Sequence, residues 1–159
     1  MEKECGVNIF DYLAQHPREA SYFNEAMIGF HGDEPAAVAA AYDFSACERV
    51  IDVGGGTGNL LAAILERHPR VRGTLGDRPH VLSDAASLIA SRNLADRLAV
   101  EAIDFFERVP AGGDAYILSH IIHDWSEEQC LAILCNCRKA MKAASRLLTE
   151  RFARLPRDS

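Results

Sequence analysis

Apolar residues in this chain change their spacing near residue 49. Before that point they recur at helical intervals. Phe10, Tyr12 and Leu13 occupy neighbouring turns, and Tyr22, Phe23, Ala26, Met27 and Phe30 form a stripe. Pro17 sits near the start of the second helix and His31-Gly32 closes it. Residues 8–30 therefore predict two short helices, with 36–42 a further turn or two. From Arg49 onward, short β-rich runs alternate with helices. Strands are expected over 49–53, 71–75, 98–103, 115–119 and 146–149. Helices are expected over 59–68, 79–92 and 126–143, the last opened by the capping box Ser126-x-x-Gln129. Leu60, Leu61, Ile64 and Leu65 give the first of these an apolar face. Strands alternating with helices predict an α/β fold with a doubly wound, mostly parallel sheet.

Composition narrows the class. With 159 residues, 48% of them apolar, the chain suits one domain that buries about two-thirds of its unfolded surface without a disulfide or metal staple. Lys and Arg number 17 against 23 Asp and Glu, a net charge of −6, which lacks the basic excess that nucleic-acid backbones require. No run approaches the roughly 18 apolar residues of a membrane span. Met1-Glu-Lys-Glu-Cys5 is too acidic for a signal peptide. The expectation is a cytoplasmic protein with neither nucleic-acid nor membrane partners. Cys5, Cys47, Cys130, Cys135 and Cys137 contain no Cys-x-x-Cys pair, so reduced core thiols are expected rather than a zinc ribbon or a thioredoxin motif.

The glycine-rich turn after the first strand carries the chemistry, because strand, glycine turn and helix present backbone N–H groups to a ligand's charged end. Gly54-Gly-Gly-Thr-Gly58 is followed by Asn59, with no P-loop lysine nearby. Against a dinucleotide fingerprint, positions 54 and 56 comply but Asn59 breaks the third glycine, which disfavours a nicotinamide oxidoreductase. Asp-x-Gly-x-Gly-x-Gly is filled completely by Asp52, Gly54, Gly56 and Gly58, the first motif of S-adenosylmethionine (SAM) dependent methyltransferases. Asp77 closes the next strand, 19 residues after Gly58, where a carboxylate can accept from both ribose hydroxyls. Its structural alternative is a helix N-cap ahead of Pro79. Asp104 ends the third strand, where a carboxylate can meet an adenine amino group while Phe105 packs on the ring. These groups share the sheet edge at which open α/β folds bind ligands.

Ser119-His-Ile-Ile-His-Asp-Trp125 follows the fourth strand. A sulfonium donor already carries a good leaving group, so methyl transfer needs in-line positioning and an oxygen nucleophile stripped of its proton. A neutral imidazole, with an ordinary pKa of about 6.5, suits that task. His123 is the candidate base, and His120 a core or supporting group. The two could pair on a metal, but no third ligand stands near them in sequence, so no metal is expected.

Together these residues resemble the methyltransferase domain of the SAM-dependent O-methyltransferase family that includes plant caffeate, flavonoid and acetylserotonin enzymes and bacterial polyketide and carotenoid enzymes. The resemblance rests on Val50-Ile-Asp-Val-Gly-Gly-Gly-Thr-Gly58, Gly76-Asp77 with Pro79-His-Val81, Asp104-Phe-Phe106 and His120-Ile-Ile-His-Asp-Trp125. Phe10-Asp-Tyr-Leu13 and Phe23-Asn-Glu-Ala-Met27 look like the family's connecting helices, so it covers about residues 8–150. It implies a Rossmann-like SAM-dependent methyltransferase fold with strand order 3-2-1-4-5, connecting helices over 1–32 and a SAM-binding domain over 33–159. It also implies that Asp77 holds the ribose, that Asp104 and Phe105 hold the adenine, and that Ser119 lies where plant members often place a lysine near the adenine. His123 would be the base and Glu150 the glutamate that orients it, with Phe23, Met27 and Asp124 on the substrate side. The implied activity transfers a methyl group from SAM to a hydroxyl of an aromatic or polyketide-like small molecule, leaving S-adenosylhomocysteine (SAH). Its rival is a non-catalytic SAM-binding or interaction subunit. The family's N-terminal dimerisation domain and last strands have no counterpart here, so a shortened sheet is expected, together with a homo-oligomer or a complementing chain.

Overall fold

The computed structural model describes residues 9–23 and 32–150. Its sheet consists of β1 (Arg49–Val53), β2 (Arg72–Asp77), β3 (Leu98–Ala102), β4 (Ala115–Ser119) and β5 (Arg146–Glu150). Every pairing is parallel and the order is β3-β2-β1-β4-β5, as expected. The helices are α1 (Ile9–Gln15), α2 (residues 17–23), α3 (Glu34–Ala41), α4 (Asn59–Arg67), α5 (Pro79–Ser91) and α6 (Glu127–Ala140). Met27, Ala26 and Phe30 of the N-terminal stripe lie outside the described residues, as do Cys5 and the tail at 151–159.

The two-residue period of the strands divides the core. Val50, Ala115 and Ile117 face a cluster completed by α3, α4 and α5, whereas Ile51, Val53, Tyr116 and Leu118 face one completed by α6 and Phe105. Burying both faces explains why β1 reads Arg-Val-Ile-Asp-Val and is buried from Val50 to Val53. Gly73 on β2 lets α4 approach closely, since a Cβ there would lie 2.9 Å from Leu61 Cδ1.

Helix α6 begins at the expected capping box: Ser126 Oγ accepts from Gln129 N at 3.3 Å, and Ser126 N donates to Gln129 Oε1 at 3.1 Å. It ends at Ala140 rather than near residue 143. Ser145 Oγ accepts from Lys142 N at 2.9 Å and donates to the Gly113 carbonyl at 2.7 Å, holding 142–145 as a turn that delivers the chain into β5. Cys47, Cys130, Cys135 and Cys137 are free thiols. Among the described residues, no helix is long and apolar enough to cross a membrane.

Candidate active site

The carboxyl ends of β1, β2, β4 and β5 open into one cavity of about 790 Å³, walled on its far side by Leu13, Phe23 and Glu34 of the N-terminal helices. That volume lies within the range of small-ligand pockets. Its floor is the glycine turn. Gly54, Gly56 and Gly58 have φ of +71°, +61° and +85°, the left-handed region that glycine enters without a Cβ penalty. Gly54 N donates to the Gly76 carbonyl at 2.7 Å, tying the turn to the end of β2. A Cβ on Gly55 would collide with the Asp52 carboxylate, so that position tolerates only hydrogen.

Asp52 is fully buried, and neither carboxylate oxygen has a hydrogen-bond partner among the described residues. Burial, reinforced by the charges of Asp77 and Glu150, pushes its pKa up to about 7. Asp77 is better served. Its Oδ2 accepts from Gly56 N at 2.9 Å and its Oδ1 from Arg78 N at 2.7 Å. Burial still raises its pKa, against the lowering effect of those two bonds. The N-cap of α5 is Arg78, with no side-chain capping bond, so Asp77 does not cap the helix: one of its oxygens meets the glycine turn and the other the Arg78 N–H.

The other candidate residues are distributed unevenly around the cavity. Phe105 lines it, packed edge-on to Phe106 and Trp125 with centroids 5.0 and 5.8 Å away. Asp104 is exposed and does not line the cavity; its Oδ1 accepts from Phe106 N at 2.9 Å. Ser119 Oγ donates to Glu150 Oε2 at 2.7 Å at the ends of β4 and β5. His123 sits in the 3₁₀ turn Ile122–Asp124, its side chain 47% exposed and its Nε2 3.3 Å from Asp124 Oδ1. Burial raises the Asp124 pKa, opposed by His123 and His120. Glu150, expected beside His123, is grouped with His120 and Glu34, one ligand-type atom of each lying within 4.8 Å of the others. His120 Nε2 donates to Glu34 Oε2 at 3.2 Å. Phe23 lines the cavity, and Met27 lies outside the described residues.

Two contributors escaped the sequence. Glu34 is 86 positions from His120, and no local spacing announces the pair. Asn136 on α6 is buried and donates to the carbonyls of Phe105 and Phe106 at 3.1 and 2.7 Å, fixing the aromatic wall. It stands at a polar interruption of an apolar helix face, the one signal available beforehand.

A parallel sheet of this order, with a glycine turn after its central strand and carboxylates at adjacent strand ends, has the Rossmann-like architecture of SAM-dependent methyltransferases. Residues 1–152 match the family model described as an O-methyltransferase domain, and the chain belongs to that family. It is 48% identical over 147 residues to the phenazine O-methyltransferase PhzM of Lysobacter antibioticus, covering 92% of this chain and 43% of that protein. It is 36% identical over 135 residues to an 8-amino-8-demethylriboflavin N,N-dimethyltransferase of Streptomyces davaonensis, covering 84% of this chain and 39% of the relative. Among solved structures it resembles the O-methyltransferase NcsB1 from neocarzinostatin biosynthesis, in complex with SAM and 2-hydroxy-5-methyl naphthoic acid. The TM-score is 0.87 at 32% identity, covering 93% of this chain and 46% of that one. The chain thus spans about two-fifths of the length of the curated relatives.

Proposed function

We propose that this chain carries the SAM-binding half of an O-methyltransferase acting on a hydroxyl of an aromatic or polyketide-like small molecule, with His123 as general base. The observation that carries the reading is one cavity shared by a buried carboxylate with no partner among the described residues (Asp52), a strand-end carboxylate bound to the glycine turn (Asp77) and a half-exposed imidazole (His123). An orphaned buried carboxylate suits a cationic ligand, and SAM is one. When bound, SAM supplies a methyl group on a sulfonium whose departure leaves neutral SAH.

In this reading Asp77 uses its remaining lone pairs for the ribose and Phe105 supplies an apolar wall for the adenine. Asp104, beside Phe105, would have to turn toward the cavity to meet the adenine amino group, and Ser119 would approach the adenine from β4. The backbone of Gly54–Gly58 faces the amino-carboxylate end. His123 takes the acceptor's hydroxyl proton as the oxygen attacks. Asp124 then faces the imidazolium so formed, and Glu150 stands on the supporting side. Phe23 and Met27 bound the acceptor. Residues 1–32 serve as connecting helices and 33–159 as the SAM-binding unit, in a cytoplasmic protein. A nitrogen acceptor is the second reading, favoured by the N,N-dimethyltransferase among the relatives.

Calorimetry with SAH, and turnover on hydroxylated and aminated phenazines and naphthoates, test the proposal. Micromolar SAH binding is expected, with a 10²- to 10⁴-fold rate loss in His123→Ala, about the usual effect of removing a general base. Absence of SAH binding overturns the cofactor assignment. Full activity of His123→Ala overturns the base.

A further inference from the structure

His120 is one of two non-glycine residues with positive φ among those described, at +55°. A β-carbon in that region costs on the order of 1–3 kcal/mol, and such strain persists only where the surroundings enforce it. Here the enforcement is visible. His120 N donates to the Glu150 carbonyl at 3.2 Å, extending the β4–β5 ladder by one residue. The ring Nε2 donates to Glu34 Oε2 at 3.2 Å, with side chains only 12% and 25% exposed. The ring also meets the edge of His123, centroids 5.7 Å apart at 73°.

We propose that Glu34, acting through the strained His120, is a positioning residue that sets the orientation of the His123 ring. Glu34 belongs to the first turn of α3, so this contact makes a helix outside the sheet part of the proton-accepting apparatus. Among the described residues, the groups facing His120 include Glu34 from α3, Glu150 from the end of β5, and His123 and Asp124 from the 3₁₀ turn. Left-handed backbone at residue 120 turns the chain back after β4, so that His123 follows within one short turn. The ring of His120 then packs against that of His123. Without the Glu34 acceptor, the His120 ring loses its Nε2 hydrogen bond, and with it a constraint on the ring that packs against His123.

The inference rests on His123 being the base, so the test must fail separately for each. Glu34→Ala, Glu34→Gln and His120→Gly are compared with His123→Ala in kcat, KM, SAH affinity and melting temperature, and the imidazole ¹⁵N–¹H correlations of His123 are recorded. Glu34→Ala and His120→Gly should lower kcat by about 10- to 100-fold, the usual effect of a displaced catalytic group, with KM and SAH affinity nearly unchanged. Glu34→Gln keeps an acceptor oxygen and should retain most of the rate. Glycine relieves the backbone at +55° but deletes the buried ring and its bond to Glu34, so the rate loss of His120→Gly is read against its melting temperature, while Glu34→Ala and Glu34→Gln separate positioning from stability. In Glu34→Ala the His123 ring resonances should move, whether or not turnover is measurable. Unmoved His123 resonances in Glu34→Ala, or rate losses that simply track melting temperature, overturn the proposal. Full activity of His123→Ala combined with shifted resonances overturns the base and leaves the positioning contact standing.

Discussion

The carboxylate of Asp52 has two oxygens removed from water and, among the described residues, no donor for either. Its native pKa of about 7 lies above the ordinary 3.8, so between those values the folded protein holds a proton that the unfolded chain has released. Stability therefore falls as pH rises through that window, by about 1.4 kcal/mol for each pH unit between the two values, and the full loss persists above pH 7. Asp52→Asn removes this titration. Its melting temperature should overtake that of the wild type between pH 5 and pH 8, while SAH affinity declines; parallel melting curves over that range would refute the account. Asp77 contrasts with it, because two backbone donors already occupy it. Asp77→Ala should lose about 1–3 kcal/mol of SAH binding by calorimetry, as for a hydrogen-bonded charged acceptor. Unchanged affinity would remove Asp77 from the site.

Elements are held where the site needs them by a few long side chains. Helix α4, which starts at the glycine turn, ends in carbonyls that need partners. Arg97 provides one, its Nη1 donating to the Leu65, His68 and Val71 carbonyls at 3.0, 3.3 and 3.0 Å. Arg97→Ala should destabilise the fold by about 1–3 kcal/mol in denaturant unfolding, because three carbonyls lose a charged donor at once. A smaller effect would mean that water replaces the guanidinium. The N-terminal helices are tied in by Arg78, the residue after Asp77, whose Nη1 donates to Asp11 Oδ1 on α1 at 2.8 Å. The pair is partly exposed, so it orients α1 more than it stabilises it.

Across the whole molecule, Tyr12 and Tyr22 leave aromatic surface on α1 and α2, 45% and 64% exposed. Such surface favours association. Light scattering should give a mass above 17.5 kDa at micromolar concentration, and a clean monomer would refute self-association. The elements themselves were legible in the sequence. Apolar period and glycine punctuation are local properties, so β1, α4, the capping box of α6 and the strand order follow from them and the family resemblance. The same holds for the place of Asp52 and Asp77 at the cavity, because a strand end followed by a turn defines the ligand edge of a parallel sheet wherever it occurs. Asp104 shows where that logic stops. It follows β3, and its Oδ1 accepts from a backbone donor two residues away, Phe106 N, outside the lining of the cavity. The Glu34–His120 contact, the Asn136 bonds behind Phe105 and the grouping of Glu150 with His120 were settled by tertiary structure alone. Each joins residues about 30 to 86 positions apart, brought together only when helices pack on a finished sheet. Local spacing records how a segment folds, whereas the partner of a polar side chain across the core depends on where every other element has come to rest.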